Sequence, residues 1–229
     1  MTDGFYILEI IMVLITAIIT LAGGIIELRL NPTNWLNRWF ALFFFSASLG
    51  FLTYMIYHLI PCCGLESLII SIMILAQIFF NFIPISLVMT VQILEKSQKV
   101  ATSVKYLGTL MILFIIMSFG YFIWRPYLNP SYYTQGITDT STHPVLLSFV
   151  NILRISLVVY IIYKYAMITR KTEGETKKRV QWFFIGTIIV VIGLGINLIG
   201  GIFNQIFIES FALILINIGA MVIIKGFFM

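Results

Sequence analysis

The chain has 229 residues, of which 60% are hydrophobic and only 10% are charged, and its mean hydropathy is +1.04. Soluble domains carry about 25% charged residues, and a soluble fold of this composition could not cover its apolar surface with polar side chains, so an ordinary soluble domain is excluded. The net charge of +5 could suggest a nucleic-acid partner, but the positions of the basic residues argue against one.

Seven apolar runs are each long enough to cross a bilayer, which takes about 20 residues of helix. Chain breakers such as Pro32, Pro61 and Pro130, and the polar run 169–179, separate neighbouring runs. The sequence therefore predicts an all-α fold, with a single seven-helix transmembrane domain over 1–229. The predicted helices cover about 5–28, 38–59, 66–94, 106–124, 144–168, 181–203 and 211–228.

The basic residues lie mainly on one side of this predicted bundle. Twelve of the fourteen basic residues fall on the side of the membrane opposite the N-terminus. Of the other two, Arg125 lies on the same side as the N-terminus, and Arg154 lies within the fifth helix. Because the side richer in Lys and Arg stays in the cytoplasm, the pattern predicts an external N-terminus and a cytoplasmic C-terminus in a cell-membrane protein. The positive charge then faces lipid headgroups rather than nucleic acid.

Arg154 is the most informative polar residue, because it lies near the centre of the fifth predicted helix. A central arginine costs about 2.5–3.5 kcal/mol on insertion scales, so it usually faces the bundle interior and has a partner. Glu9 is a candidate partner, at a depth of about 6 Å against about 15 Å for Arg154, and Glu66 and Glu209 are weaker candidates. The pattern indicates an anion-binding or switching residue, or alternatively a structural arginine that pairs with carbonyl groups.

Further polar residues fall in the middle and outer layers of the predicted bundle. This distribution predicts a polar cavity that opens outward, and a few polar groups in an apolar wall are typical of a small-ligand site. Small and polar residues also serve as ordinary packing contacts between membrane helices, so each residue alone has that alternative. The candidate ligand-binding residues are Arg154, Asn151, Glu9, Gln77, Asn197 and Asn217.

Metal and catalytic sites are not predicted. His58, Cys62 and Cys63 lie together at the predicted outer mouth and are weak candidates for a metal, but their spacing matches no established metal motif. No nucleophile lies in a pattern with a base. The sequence therefore predicts a protein that is not an enzyme and carries no cofactor.

Two short stretches resemble a known family. Residues 34–43 read Asn-Trp-Leu-Asn-Arg-Trp-Phe-Ala-Leu-Phe, and residues 178–181 read Lys-Arg-Val-Gln. They are similar to the entries of helices 2 and 6 in the seven-transmembrane N-terminal sensor region of prokaryotic histidine kinases, and the seven-helix layout is similar over nearly the whole chain. That family usually continues into a kinase, PAS or cyclase domain, whereas this sequence stops after its seventh helix, so the resemblance implies a stand-alone sensor region without a kinase domain.

The resulting expectation is a sensor or receptor-like module. A small ligand would enter the outer cavity and favour one of two helix packings, and cytoplasmic loops would pass the change to a separate cytoplasmic or membrane signalling protein. The run 169–179 is the predicted contact, and membrane lipids are further expected partners. The alternatives are a small-solute transporter and a non-catalytic subunit of a membrane complex.

Overall fold

The computed structural model describes residues 2–61, 64–130, 138–203 and 205–228. Within these ranges, seven helices are long and apolar enough to cross a membrane, which confirms the prediction of an all-α, multi-pass membrane protein. The short helix α4 joins two of them, and strands β1 and β2 pair antiparallel between α5 and α6. In chain order the elements are α1 (Thr2–Leu30), α2 (Trp35–Leu59), α3 (Glu66–Lys96), α4 (Gln98–Ala101), α5 (Val104–Ile123), β1 (Tyr127–Leu128), β2 (Thr140–Ser141), α6 (Pro144–Lys171), α7 (Gly174–Phe203) and α8 (Ile206–Phe227).

Two ends of the bundle differ in chemistry. The end that we call the hairpin end holds β1, β2, the last turn of α2 and the first turn of α8. The opposite end, which we call the basic end, holds the α1–α2, α3–α5 and α6–α7 connections. At the basic end, the Asn34 side chain caps α2 by accepting a hydrogen bond from Leu36 N at 2.9 Å.

The α6–α7 connection differs from the prediction. Residues 169–179 do not form a loop, because α6 continues to Lys171 and α7 begins at Gly174, so that only Thr172 and Glu173 lie between the two helices. Lysine, arginine and glutamate are good helix formers, and a helix need not end where its apolar run ends. Gly174 has a φ of +64°, a left-handed conformation that glycine adopts without strain.

Helices α7 and α8 approach until their backbones touch. A Cβ atom added to Gly219 would lie 2.9 Å from the carbonyl oxygen of Gly186, and one added to Gly186 would lie 2.8 Å from the carbonyl oxygen of Gly219. Small residues permit such close approach between membrane helices, where packing replaces the hydrophobic driving force available in water. α8 also packs against α1, which in turn packs against α2.

Aromatic and aliphatic side chains of α2, α3, α5, α6, α7 and α8 form the largest buried cluster, which includes Trp39, Phe44, Met89, Tyr165 and Ile223. A second cluster lies nearer the hairpin end and joins α2, α3, α5 and α6 through side chains such as Met73, Met117 and Tyr121. This second cluster surrounds the polar groups described next.

Candidate functional site

Arg154 is held by two side-chain amides of α3. Its Nε donates a hydrogen bond to Asn81 Oδ1 at 2.9 Å, and its Nη2 donates to the same oxygen at 2.7 Å and to Gln77 Oε1 at 2.9 Å. Gln77 and Asn81 are four residues apart, so they lie one above the other on the same face of α3. They therefore orient the guanidinium group across the α3–α6 interface.

Helix α5 supplies a second set of contacts to the same amides. Tyr121 donates its hydroxyl proton to Gln77 Oε1 at 3.2 Å, and Asn81 Nδ2 donates to Ser118 Oγ at 3.3 Å. Asn81, Ser118 and Tyr121 are buried, while Gln77 and Arg154 are partly buried. We call these five residues the Arg154 cluster, and they join α3, α5 and α6.

The Arg154 cluster contains no acidic residue. Among the described residues, no carboxylate oxygen lies within 4.0 Å of the Arg154 guanidinium. Glu9, the predicted partner, instead accepts a hydrogen bond from the hydroxyl group of Tyr54 at 2.9 Å. The positive charge of Arg154 is therefore surrounded by neutral hydrogen-bonding groups, an arrangement that an anion could complete with charge-assisted hydrogen bonds.

A different polar cluster lies at the hairpin end. His58 is buried, and its Nε2 lies 3.9 Å from Asp139 Oδ1. Neither ring nitrogen makes a hydrogen bond of full geometry among the described residues, although the Thr138 backbone is close enough to interact with the ring. Burial raises the pKa of the Asp139 carboxyl group to about 6, against the opposing effect of hydrogen bonds from the Thr140 backbone and the Asn129 side chain.

The predicted ligand-binding residues are thus divided among several places. Arg154 and Gln77 come together, whereas Glu9 lies with Tyr54 near the hairpin end. Asn217 donates to the Met12 carbonyl oxygen at 3.4 Å, and its own side-chain oxygen is buried without a partner among the described residues. Asn151 and Asn197 are partly buried, and no hydrogen bond of either side chain is found within the described ranges.

Sequence reasoning missed three members of the Arg154 cluster as site residues: Asn81, Ser118 and Tyr121. The four-residue spacing of Gln77 and Asn81 was a usable signal, because residues four apart lie on the same face of a helix, so a group that contacts Gln77 also lies near Asn81. No comparable signal marks Ser118 and Tyr121, since α5 is otherwise almost wholly apolar.

The weak metal candidates are only partly visible. Cys62 and Cys63 lie outside the described residues, and His58 has Asp139 as its nearest acidic group. In the described part of the chain, no three His, Cys, Asp or Glu side chains form a group that could hold a metal ion.

An apolar groove of about 430 Å³ runs between α5 and α6 near the hairpin end. Its walls include Ile116 and Phe119 of α5 and Val145 and Phe149 of α6. These walls suit hydrocarbon rather than a polar ligand, so the groove is not the predicted polar cavity.

Comparison with known proteins gives no family assignment. No family model matches the chain, and no curated protein matches it. Function is therefore inferred from the contacts of the Arg154 cluster and from the distribution of charge.

Proposed function

We propose that this protein is a cell-membrane sensor that binds a small anionic ligand at Arg154 and transmits the binding event through the α3–α6 pair. The observation that carries the proposal is the guanidinium group of Arg154, which is anchored by Gln77 and Asn81 yet has no carboxylate within 4.0 Å among the described residues. The ligand class is a small carboxylate or an inorganic oxyanion.

An anion at this position is favoured electrostatically. An unpaired charge inside a membrane protein is costly, and residues that carry one usually have a functional partner. Amide oxygens orient the guanidinium and offset part of its desolvation, but they supply no net negative charge. A carboxylate or oxyanion would supply it and could accept two parallel hydrogen bonds from the guanidinium group.

Ligand binding has a structural route to the rest of the bundle. If the guanidinium turns toward an anion, Gln77 Oε1 loses its donor from Arg154 while it keeps its contact with Tyr121 of α5. The packing of α3, α5 and α6 would then shift toward the arrangement that binds the anion better.

Helices α3 and α6 also contact each other nearer the basic end. The Thr90 and Tyr165 hydroxyl groups lie 2.7 Å apart, and Lys164 Nζ lies 2.6 Å from Glu95 Oε1. These contacts give α3 and α6 a shared path from the Arg154 cluster to the basic end.

The proposed orientation places the basic end in the cytoplasm and the hairpin end outside the cell, because twelve of the fourteen basic residues would then obey the positive-inside rule. A signalling partner would meet the cytoplasmic ends of α6 and α7, where Lys171 and Lys177 are exposed. This partner would be a cytoplasmic or membrane protein in trans, as in the resemblance to kinase sensor regions.

The experiment uses purified protein in nanodiscs and a panel of formate, acetate, lactate, phosphate and sulfate. Thermal unfolding is followed for wild type, Arg154→Gln and Arg170→Gln, the last being an exposed arginine on the same helix. We expect at least one anion to raise the unfolding temperature of wild type and Arg170→Gln but not of Arg154→Gln. Equal anion effects on wild type and Arg154→Gln would contradict the proposal.

A second measurement separates a sensor from a transporter. The anion with the largest stabilising effect is tested for counterflow into proteoliposomes. A sensor binds this anion without moving it across the bilayer. Counterflow that depends on Arg154 would support the transporter instead, since a transporter needs access to the site from both sides.

A further inference from the structure

The end of α2 is in contact with both the β-hairpin and α1. The Thr138 hydroxyl group donates to the Ile60 carbonyl oxygen at 2.7 Å, and Tyr6 of α1 donates its hydroxyl proton to the His58 carbonyl oxygen, also at 2.7 Å. Asn129 and Asp139 hold the two sides of the hairpin together, with Asn129 N donating to Asp139 O at 2.9 Å. The Asp139 carboxylate is thereby fixed beside His58.

One contact in this assembly is incomplete. His58 Nε2 and Asp139 Oδ1 are 3.9 Å apart, which is too long for a hydrogen bond. Both ring nitrogens of His58 are buried and neither makes a hydrogen bond of full geometry among the described residues, although the Thr138 backbone is close enough to interact with the ring. Buried polar atoms are normally hydrogen-bonded. A proton placed between these two groups would join His58 Nε2 to Asp139 Oδ1 by a hydrogen bond.

The groups around the pair favour the uptake of a proton. Glu9 of α1 and Glu209 of α8 are close enough for their charges to act on each other and to feel the charge of Asp139. Helix α2 contributes Tyr54 and Tyr57, which are neutral. Within the described residues, no lysine or arginine nitrogen lies within 4.0 Å of these three carboxyl groups. The surroundings therefore hold three carboxyl groups and, among the described residues, no basic partner.

We infer that His58 and Asp139 share a proton at mildly acidic pH, and that this proton fastens β2 to the end of α2. The proton lies between His58 Nε2 and Asp139 Oδ1, and it replaces the 3.9 Å gap with a hydrogen bond. When the proton is lost, the ionised Asp139 has no hydrogen bond to His58 and lies near the carboxyl groups of Glu9 and Glu209, so attachment of the hairpin weakens.

The contact also reaches the Arg154 cluster. Leu128 of β1 packs against the buried hydrophobic cluster that contains Tyr121. Tyr121 donates a hydrogen bond to Gln77 Oε1, which also accepts one from Arg154 Nη2. Attachment of the hairpin therefore supports the position of Tyr121. The proton-dependent contact needs no anion at Arg154, so this inference and the proposed function can fail separately.

The direction and size of the pH effect on hairpin attachment follow from the pKa of Asp139. Its pKa is about 6 when the hairpin is attached, against an ordinary value of 3.8, and a group whose pKa is raised in the folded state stabilises that state at low pH. The stabilisation is complete below pH 4 and is lost as the pH rises through 6. Between pH 8 and pH 5, attachment should strengthen about tenfold.

The test is hydrogen exchange of the backbone amides of residues 127–129 and 138–141 in nanodiscs at pH 8 and pH 5, corrected for the intrinsic pH dependence of exchange. We expect about tenfold greater protection at pH 5 in the wild type. Asp139→Asn should abolish the difference, because an amide does not titrate. Glu66→Gln, at an exposed carboxyl group of the same end, should retain it.

Protection in the wild type that is unchanged or lower at pH 5 would overturn the inference, and this comparison does not depend on whether any variant folds. A pH response that persists in a folded Asp139→Asn protein would also overturn it, because the proton would then bind elsewhere.

Discussion

Replacement of Gly219 by alanine tests the packing on which the α7–α8 pair depends. The new Cβ atom would lie 2.7 Å from Val190 Cγ2, 2.8 Å from Val190 N and 2.9 Å from the Gly186 carbonyl oxygen. The valine methyl group can rotate away, but the two backbone atoms cannot. The helices must therefore separate by several tenths of an ångström at this level.

Two opposing effects decide how far Gly219→Ala changes the free energy of unfolding. Alanine is favoured over glycine inside a helix by roughly 0.5–1 kcal/mol. Overpacking of a tight interface costs roughly 1–3 kcal/mol, and a gap of about 0.5–1 Å forfeits a quarter to a half of each dispersion contact. The contact with backbone favours the upper part of that range, so Gly219→Ala should lower the free energy of unfolding by about 1–2 kcal/mol.

Gly195 of α7 is the matched control, because a Cβ atom there meets nothing within 4 Å. Gly195→Ala should leave the free energy of unfolding unchanged or raise it by up to about 1 kcal/mol. Both variants are measured by steric trapping in bicelles. If Gly219→Ala and Gly195→Ala have the same free energy of unfolding, the backbones of α7 and α8 are not in contact at Gly219.

Three further predictions concern the site and the orientation. Asn81→Ala should lower the free energy of unfolding by about 1–2 kcal/mol in the wild type, because the partly buried guanidinium of Arg154 loses a hydrogen-bond acceptor. The loss should be at most about 0.5 kcal/mol when Arg154 is already glutamine, and equal losses in the two backgrounds would show that Asn81 does not act through Arg154. Arg154→Leu should preserve or improve membrane insertion, measured as the yield of folded protein, because it removes an insertion cost of about 2.5–3.5 kcal/mol; loss of folded protein would make the residue structural. In a cysteine-free background on intact cells, an impermeant thiol reagent should label Glu66→Cys and not Glu173→Cys, and the opposite pattern would reverse the proposed orientation.

The fold was predictable from the sequence because the strongest signal in a membrane protein is the length of its apolar runs. Each of the seven predicted runs corresponds to a helix that could span a membrane. The ends of α6 and α7 were not predictable from the same signal. Arg170, Lys171 and Lys177 lower the hydropathy of this region without breaking the helix, since long charged side chains favour helical structure.

The candidate site was predictable only in part. Arg154 stands out by its depth in an apolar run, and Gln77 was identified as a polar group on α3. The identity of the partners depends on which helix faces meet, and a single sequence contains no information on that choice. Tyr121 illustrates the limit, because its hydroxyl group reaches Gln77 from a helix that is almost wholly apolar.

Gln77→Glu tests most directly whether Arg154 lacks a counter-charge among the residues that the structure describes. Gln77 Oε1 accepts from Arg154 Nη2 at 2.9 Å, so glutamate, which has nearly the same shape, would place a carboxylate in the same position. The measurement is the free energy of unfolding of Gln77→Glu in bicelles, in the wild-type background and with Arg154→Gln. When Arg154 is present, we predict that Gln77→Glu raises the free energy of unfolding by roughly 1–3 kcal/mol, because a charge-assisted hydrogen bond is gained. When Arg154 is replaced by glutamine, we predict that Gln77→Glu lowers the free energy of unfolding, because the new carboxylate is unpaired. Destabilisation of similar size in both backgrounds would show that Arg154 already has a counter-charge, and would contradict the proposed anion site.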